Sequence, residues 1–133
     1  MIKIGISGCN GAMGRVLTET ANQLDDITIV FGIDRNPELY NNEYPVYESG
    51  LKADKDCDII IDFSHPSNLE DILKFCIQHK AGLVLATTGI SINQETRIKE
   101  VSNQIPIFKS SNTSLGVNLI IDLVKKVAGI LSE

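Results

Sequence analysis

The sequence predicts a doubly wound α/β domain, in which a parallel sheet carries helices on both faces. Short runs dense in Ile, Val, Leu and Phe alternate along the chain with segments of helical periodicity, as in proteins built from strand–helix–strand units. This density of apolar residues is typical of strands buried on both faces of a parallel sheet. The length of 133 residues suffices for one domain with a hydrophobic core and is too short for two ordinary domains.

Five strands are predicted, each rich in β-branched or other large apolar residues. They span residues 2–7, 27–34, 58–64, 82–87 and 105–109. The segment 35–55, which holds two prolines and three tyrosines, predicts an irregular crossover with room for a short helix.

Four helices are predicted between and after these strands. The first helix follows a glycine-rich segment, and its apolar stripe is formed by Met13, Val16, Leu17, Ala21 and Leu24. The fourth helix, at the end of the chain, has a longer stripe of Leu119, Ile120, Leu123, Val124, Val127 and Leu131.

The second and third helices carry signals at their first turns. Pro66, followed by Ser67 and Glu70 at capping-box spacing, predicts the start of the second helix. Ser91 and Gln94 have the same spacing and predict a capping box at the start of the third helix.

Composition excludes several classes of protein. With 43% hydrophobic and 22% charged residues the chain is close to an average soluble domain, which excludes disordered and collagen-like chains. Its net charge of −5 argues against a general binder of nucleic acid or of membrane surfaces. Three widely spaced cysteines with two histidines form neither a zinc nor a disulfide framework, so a cytoplasmic protein without a metal site is expected.

A glycine-rich turn follows the first strand. Gly8, Gly11 and Gly14 form a G-x-x-G-x-x-G motif between that strand and the first helix. Asn10 stands where many such motifs have glycine, and Asn, like glycine, tolerates positive φ. Small residues let the backbone turn tightly and approach a pyrophosphate, whose charge is stabilised by the free N–H groups at the helix start. The motif is typical of dinucleotide-binding, Rossmann-type folds, and the alternative is a tight turn without a ligand.

Asp34 and Arg35 stand at the end of the second predicted strand. An acidic side chain at this place accepts hydrogen bonds from the ribose hydroxyls of an adenosine, and a neighbouring guanidinium pairs with the 2′-phosphate of NADP. The two residues together predict binding of both NADH and NADPH. The alternative is a solvated charge pair at a strand end.

Three further segments point to one family. Residues 61–66 read IDFSHP, residues 86–89 read ATTG and residues 110–118 read SSNTSLGVN. In order and spacing, and together with the glycine-rich turn, they resemble the cofactor domain of 4-hydroxy-tetrahydrodipicolinate reductase (dihydrodipicolinate reductase) of lysine and diaminopimelate biosynthesis. The resemblance covers nearly the whole chain. Asp62 is interpreted as a hydrogen-bond partner for the N–H groups of the loop that follows it, because no nucleophile or metal ligand accompanies it.

The resemblance implies a set of cofactor-binding residues and no catalytic residue within this chain. The pyrophosphate would be held by Gly8, Cys9, Asn10, Gly11, Ala12 and Met13, the ribose by Asp34 and the 2′-phosphate by Arg35. The nicotinamide pocket would be lined by Ala86, Thr87, Thr88, Ser110, Ser111, Asn112 and Thr113. Thr88 would also contact the substrate, a cyclic dicarboxylic acid.

Three positions depart from the family pattern. Ala12 replaces a common arginine, which places any preference for NADPH on Arg35. Ala86 replaces a frequent glycine and narrows the space for the cofactor, and Thr113 stands where Phe or Met is frequent.

The resemblance also implies parts that residues 1–133 are not expected to contain. The family's chemistry needs a second domain, whose adjacent histidines and lysine bind and protonate the substrate, and the family is usually a homotetramer assembled through that domain. The chain alone is therefore expected to bind cofactor without catalysing the reaction. Two alternatives are a stand-alone module that senses a nucleotide or coenzyme A, and the cofactor domain of another amino-acid dehydrogenase.

Overall fold

A six-stranded parallel sheet forms the centre of the computed structural model, which describes residues 1–110 and 116–132. The strands are β1 (Ile2–Ser7), β2 (Ile27–Ile33), β3 (Val46–Tyr47), β4 (Ile59–Asp62), β5 (Gly82–Leu85) and β6 (Ile107–Lys109). The helices are α1 (Ala12–Asn22), α2 (Leu69–His79), α3 (Ile92–Val101) and α4 (Val117–Leu131), and a 3-10 turn at Pro66–Asn68 precedes α2.

The order of the strands across the sheet is β3-β2-β1-β4-β5-β6, and every neighbouring pair is parallel. The chain therefore moves outward from β1 to one edge, returns to the other side of β1 and then proceeds to the opposite edge. In sheets of this kind a ligand crevice lies beyond the carboxyl ends of the strands at the point where the order reverses. The predicted doubly wound, Rossmann-type α/β class is confirmed.

Two hydrophobic clusters cover the two faces of the sheet. Helices α1 and α4 pack on one face, and helices α2 and α3 pack on the other. Strand β4 contributes to both clusters, since Ile59 and Ile61 join the first and Ile60 joins the second. Successive side chains of a strand point to opposite faces, so a strand between two helical layers has apolar residues at successive positions. Each of these fully buried side chains contributes about 1.5–3 kcal/mol of transfer free energy.

The buried faces of α1 and α4 differ in part from the predicted stripes. Val16 is 46% exposed, and Thr18 is buried beside Leu17 in its place. The hydroxyl of Thr18 donates to the carbonyl of Gly14 at 2.8 Å and is 2.9 Å from the hydroxyl of Tyr44. Because the hydroxyl is satisfied, this polar residue is accommodated in the core.

The predicted apolar stripes of α1 and α4 also differ from the buried residues farther along each helix. Leu24 lies past the end of α1, since the helix stops at Asn22. In α4, Ile121 is buried while Leu131 is 37% exposed.

One of the two predicted capping boxes is confirmed. At the start of α3, the N–H of Gln94 donates to Ser91 Oγ at 3.1 Å and the N–H of Ser91 donates to Gln94 Oε1 at 3.0 Å. The capping box of Ser67 and Glu70 is wrong. Ser67 lies within the 3-10 turn, where the side chain of His65 accepts its N–H, and Glu70 pairs with Arg97 of α3.

Residues 35–55 form an irregular crossover, as predicted, and contain no helix. The short strand β3 was not expected, since two residues carry no periodicity. Val46 and Tyr47 pair with Gly32 and Ile33 of β2. The strands β4, β5 and β6 are shorter than predicted, and the residues removed from their ends form loops at the edges of the sheet.

Within the described residues, no helix has the length and apolar character needed to cross a membrane.

Lys80 ends α2 in the left-handed conformation, with φ 55° and ψ 41°. A side chain disfavours this conformation, and glycine adopts it freely. Lys80 is exposed, so Lys80→Gly loses little packing, and we expect it to raise the free energy of unfolding by about 1 kcal/mol, measured by urea denaturation. Lys74 is an exposed residue inside the same helix, and Lys74→Gly is the control, expected to lower stability by about 0.5–1 kcal/mol. Equal losses for both variants would contradict the prediction.

Candidate functional site

A crevice of about 770 Å³ opens at the carboxyl edge of the sheet, where β1, β4 and β5 end. It is lined by the glycine-rich turn, by residues 63–66 after β4 and by residues 86–89 after β5. A side pocket of about 300 Å³ adjoins this main crevice and extends to residues 33–36 at the end of β2 and directly after it. The two cavities share the turn after β1 and residues 63–65. They therefore cover the point at which the strand order reverses.

The glycine-rich turn places α1 directly against the end of β1. Gly8 has φ +82°, a conformation that favours glycine. Gly14 is packed so closely that a Cβ atom would lie 2.3 Å from the carbonyl oxygen of Gly8. Any side chain at Gly14 would push the first turn of α1 away from β1. Backbone atoms consequently form the wall of the main crevice at this place.

The first turn of α1 has backbone donors without partners. Among the residues that the structure describes, none accepts a hydrogen bond from the N–H groups of Ala12, Met13 and Gly14. The helix has no side-chain cap and no acidic residue in its first turn, and all three residues line the main crevice. Free N–H groups and the positive end of the helix dipole together attract an anion.

Cys9 belongs to the turn and lines neither cavity. Its side chain is fully buried and lies against Gly32 of β2, and its N–H donates to the carbonyl of Ile33 at 3.3 Å. Burial raises the pKa of the Cys9 thiol to about 11. The thiol is therefore protonated near neutral pH and contributes packing beneath the turn.

Asn10 also points away from both cavities and connects the turn to the crossover. Its Nδ2 donates to the carbonyl of Asn36 at 2.8 Å, and its Oδ1 accepts from Nδ2 of Asn42 at 2.9 Å. Its φ is not positive, because the positive-φ positions of the described residues are Lys80 and three glycines. Asn10 is suited to this place by its side-chain amide.

Asp34 and Arg35 lie in the side pocket, as the motif predicts. Asp34 accepts the N–H of Asn10 at 3.0 Å through Oδ2 and the N–H of Asn36 at 2.9 Å through Oδ1. Each carboxylate oxygen retains a second acceptor site. Arg35 extends toward the loop after β4, where its Nη2 donates to Ser67 Oγ at 2.8 Å.

The residues after β5 reach the main crevice from the opposite side. Ala86, Thr87 and Thr88 all line it; the first two are buried and Thr88 is exposed. The Thr87 hydroxyl donates to the carbonyl of Asp62 at 3.2 Å, which fixes the end of β5 to β4. Ser110 is buried after β6, and its N–H donates to the carbonyl of Leu85 at 2.8 Å. Ser111, Asn112 and Thr113 lie outside the described residues.

Asp62 supports the wall that the two cavities share. Its Oδ1 accepts from the N–H of Ser64 at 2.8 Å and from Ser64 Oγ at 2.6 Å, which confirms its predicted role as a partner of the following loop. The side chain is fully buried. Within the described residues, its Oδ2 has no hydrogen-bond partner, and neither has the hydroxyl of Ser7, its register partner on β1. Burial raises the pKa of Asp62, and the hydrogen bonds from Ser64 oppose that shift.

The family model described as "Dihydrodipicolinate reductase, N-terminus" matches residues 2–113. The chain belongs to this family. The matched range contains all six strands, the glycine-rich turn and the linings of both cavities. The predicted resemblance to dihydrodipicolinate reductase is confirmed.

Curated relatives carry the name of the same reductase. The 4-hydroxy-tetrahydrodipicolinate reductase of Clostridium tetani (strain Massachusetts / E88) is 41% identical over 128 residues, which are 96% of this chain and 50% of the relative. The protein of the same name from Clostridium botulinum (strain Eklund 17B / Type B) is 41% identical over 131 residues, 98% of this chain and 51% of the relative. The chain thus spans about half the length of these curated relatives.

Among solved structures, the dipicolinate-bound dihydrodipicolinate reductase from Paenisporosarcina sp. TG-14 has the same fold, with a TM-score of 0.71 and 20% identity. The match covers 86% of this chain and 49% of that chain. An oxidoreductase from Agrobacterium radiobacter in complex with NAD+, L-tartaric acid and magnesium matches with a TM-score of 0.65 and 16% identity over 81% of this chain and 34% of that one.

Sequence reasoning missed the residues that connect the loops around the main crevice. Asn36 and Asn42 hold Asn10, and Ser67 holds Arg35. A usable signal was the order of the strands, because loops that follow β1, β2 and β4 must meet at one edge. Polar side chains in those three loops are therefore candidates for mutual hydrogen bonds.

Asp62→Asn tests the buried carboxyl. Because the pKa of Asp62 is raised, the folded protein binds this proton more tightly than the unfolded chain does, so the stabilisation is fully present below the ordinary pKa of 3.8 and is lost as the pH rises through the raised value. Asn keeps an oxygen for Ser64 and does not titrate. The free energy of unfolding of the variant, relative to the parent, should therefore increase with pH above about pH 4, as measured by urea denaturation. Two parallel stability curves would refute the shift.

Proposed function

We propose that residues 1–133 form the dinucleotide-binding domain of a reductase that uses NADH or NADPH to convert 4-hydroxy-tetrahydrodipicolinate to tetrahydrodipicolinate and water. The observation that carries the proposal is the set of free N–H groups at Ala12, Met13 and Gly14, beside a turn in which Gly14 has no room for a side chain. This arrangement suits the diphosphate of a dinucleotide, because the anion meets backbone donors at close range. Membership of the dihydrodipicolinate reductase family supports the choice of reaction.

The proposed pyrophosphate contacts divide into two groups. Gly8, Gly11, Ala12 and Met13 line the main crevice. Ala12 and Met13 donate their free N–H groups to the pyrophosphate, whereas Gly8 and Gly11, whose N–H groups donate to Ile33 and Gly8, let it approach the backbone closely. Cys9 has a buried side chain and an N–H group that donates to Ile33. Asn10 likewise donates its N–H to Asp34. We assign Cys9 and Asn10 the role of shaping the turn.

In the side pocket, Asp34 accepts hydrogen bonds from the adenosine ribose and Arg35 pairs with the 2′-phosphate of NADPH. The free acceptor sites of Asp34 and the unneutralised guanidinium of Arg35 support these roles. Since Ala12 adds no cation at the turn, Arg35 is the cation on which discrimination between the cofactors depends.

The main crevice holds the nicotinamide end between the turn and the residues after β5. Ala86, Thr87 and Thr88 line this end, and Thr88, which is exposed, contacts the substrate. Ser110, Ser111, Asn112 and Thr113 complete the pocket. When bound, the dinucleotide supplies the hydride that reduces the substrate.

The remaining functions are assigned to the half of the relatives that this chain does not match. That half supplies the proton donor, most contacts to the cyclic dicarboxylic acid and the contacts of a homotetramer, and the enzyme acts in the cytoplasm. Family membership favours this proposal over a stand-alone sensor of a nucleotide or coenzyme A and over another amino-acid dehydrogenase.

Binding without turnover tests the proposal. The 133-residue chain should bind NADH and NADPH in a fluorescence titration and show no reductase activity. Gly14→Ala should raise the dissociation constants of both cofactors about tenfold or more, which corresponds to ~1.4 kcal/mol, because the start of α1 moves away from the pyrophosphate. Gly129→Ala is the matched control, since a Cβ there meets nothing within 4 Å, and it should leave binding unchanged. Failure of the parent chain to bind either dinucleotide would overturn the proposed function.

Opposite effects are expected at the two side-pocket residues. Asp34→Ala should weaken NADH more than NADPH, because NADPH keeps its contact between Arg35 and the 2′-phosphate. Arg35→Ala should weaken NADPH more than NADH. Each preferential loss should be about 1–3 kcal/mol, the cost of removing one partner of a charged hydrogen bond. Equal losses of the two cofactors in either variant, measured as dissociation constants, would disprove the corresponding role.

A further inference from the structure

Arg35 is held by a neutral partner on the far side of the side pocket. It follows β2, whereas Ser67 lies in the 3-10 turn after β4, and the 2.8 Å hydrogen bond from Arg35 Nη2 to Ser67 Oγ joins the two loops. Both Arg35 and the neighbouring His65 line the pocket. The bond therefore fixes the position of the guanidinium relative to the space between β2 and β4.

Two neighbours, the guanidinium of Arg35 and Nδ1 of His65, orient the hydroxyl of Ser67. Arg35 can only donate, so Ser67 Oγ is the acceptor of that bond. His65 Nδ1 accepts the N–H of Ser67 at 3.1 Å and lies 2.9 Å from Ser67 Oγ. Because Nδ1 serves as an acceptor, the hydrogen of the Ser67 hydroxyl points to it. A lone pair of Ser67 is thereby directed at Arg35.

The charge of Arg35 remains available in this arrangement. Two carboxylates, Asp34 and Glu48, line the same pocket, but within the described residues Arg35 forms no salt bridge, and Glu48 pairs with Lys52 at 2.8 Å. A hydroxyl orients the guanidinium without neutralising it. Four of the five N–H donors of the guanidinium remain for another anion.

We propose that Ser67 is a positioning residue that strengthens the binding of NADPH relative to NADH, by holding the guanidinium of Arg35 where the 2′-phosphate binds. The inference rests on the proposed function, since it assigns Arg35 to that phosphate. In the absence of the Ser67 hydroxyl, Arg35 samples many rotamers and is drawn to Asp34 and Glu48. The loss of rotamer entropy when the phosphate orders the Arg35 side chain then offsets part of the favourable free energy of binding.

Three variants test the role of the hydroxyl. Ser67→Ala should weaken NADPH about three- to tenfold, the effect of one ordinary hydrogen bond, and leave NADH within about twofold. Ser67→Thr keeps the hydroxyl and should restore NADPH binding. Ser102→Ala removes an exposed hydroxyl that donates to the carbonyl of Lys99, and it should change neither dissociation constant. Ser67 is exposed and its N–H remains in all variants, so the fold is retained.

A double-mutant cycle separates positioning from a general effect on the loop. In the Arg35→Ala background, Ser67→Ala should have no further effect on NADPH, because the side chain that Ser67 positions is gone. An equal loss of NADPH in both backgrounds, or an equal loss of NADH and NADPH in the single variant, would overturn the inference. If the parent chain binds neither dinucleotide, the proposed function itself fails. If it binds both and Ser67→Ala keeps the parent ratio, only the inference fails.

Discussion

The close contact between the start of α1 and the end of β1 is the constraint on which the crevice depends. A methyl group at Gly14 would collide with the carbonyl of Gly8, so the first turn of the helix can approach the strand only when this position is glycine. The approach places the unpaired N–H groups of α1 on the wall of the main crevice. If α1 lay farther from β1, its N–H groups would be hydrated, and an anion in the crevice would experience a weaker electrostatic field from the helix dipole.

The other walls of the crevice are held by polar contacts between loops. Asn10 connects the turn to the crossover after β2, Asp34 connects back to the turn, and Asp62 fixes the loop after β4. Loops at the edge of a sheet have few apolar contacts, so side-chain hydrogen bonds to the backbone determine their conformation. Asp62 Oδ2 and Ser7 Oγ depart from this pattern, because both are buried without a hydrogen-bond partner among the described residues.

The pattern of apolar residues and the helix-capping residues were sufficient to predict most of the strands and helices. The strands buried on both faces consist mostly of apolar residues, as Ile59, Ile60 and Ile61 of β4 illustrate, and the start of α3 has both members of its capping box. The buried place of Thr18 was not predictable, because it depends on the hydroxyl of Tyr44, which the irregular crossover brings to α1. The strand β3 depends in the same way on pairing with β2, since Val46 and Tyr47 form no periodic run.

The same distinction applies to the site. The glycine spacing and the acidic residue after β2 are local in sequence, so the turn and the side pocket could be located from them. The contacts of Arg35 with Ser67 and of Asn10 with Asn42 span 32 residues each. They arise only when the strand order places loops distant in sequence beside one another. The capping box predicted for α2 is wrong because a proline suits the first turn of a 3-10 helix as well as that of an α-helix. Pro66 lies in the 3-10 turn that the side chain of His65 caps.

The burial of the Cys9 thiol makes its reactivity a measure of the motions of the glycine-rich turn. Its sulfur lies beneath the glycine-rich backbone, in contact with β2, and is fully shielded from solvent. A reagent that alkylates thiols can reach it only after the turn has lifted from the sheet, and the buried Cys57 and Cys76 lie elsewhere in the core. The rate at which Cys9 is alkylated in the native protein therefore measures how often the turn opens.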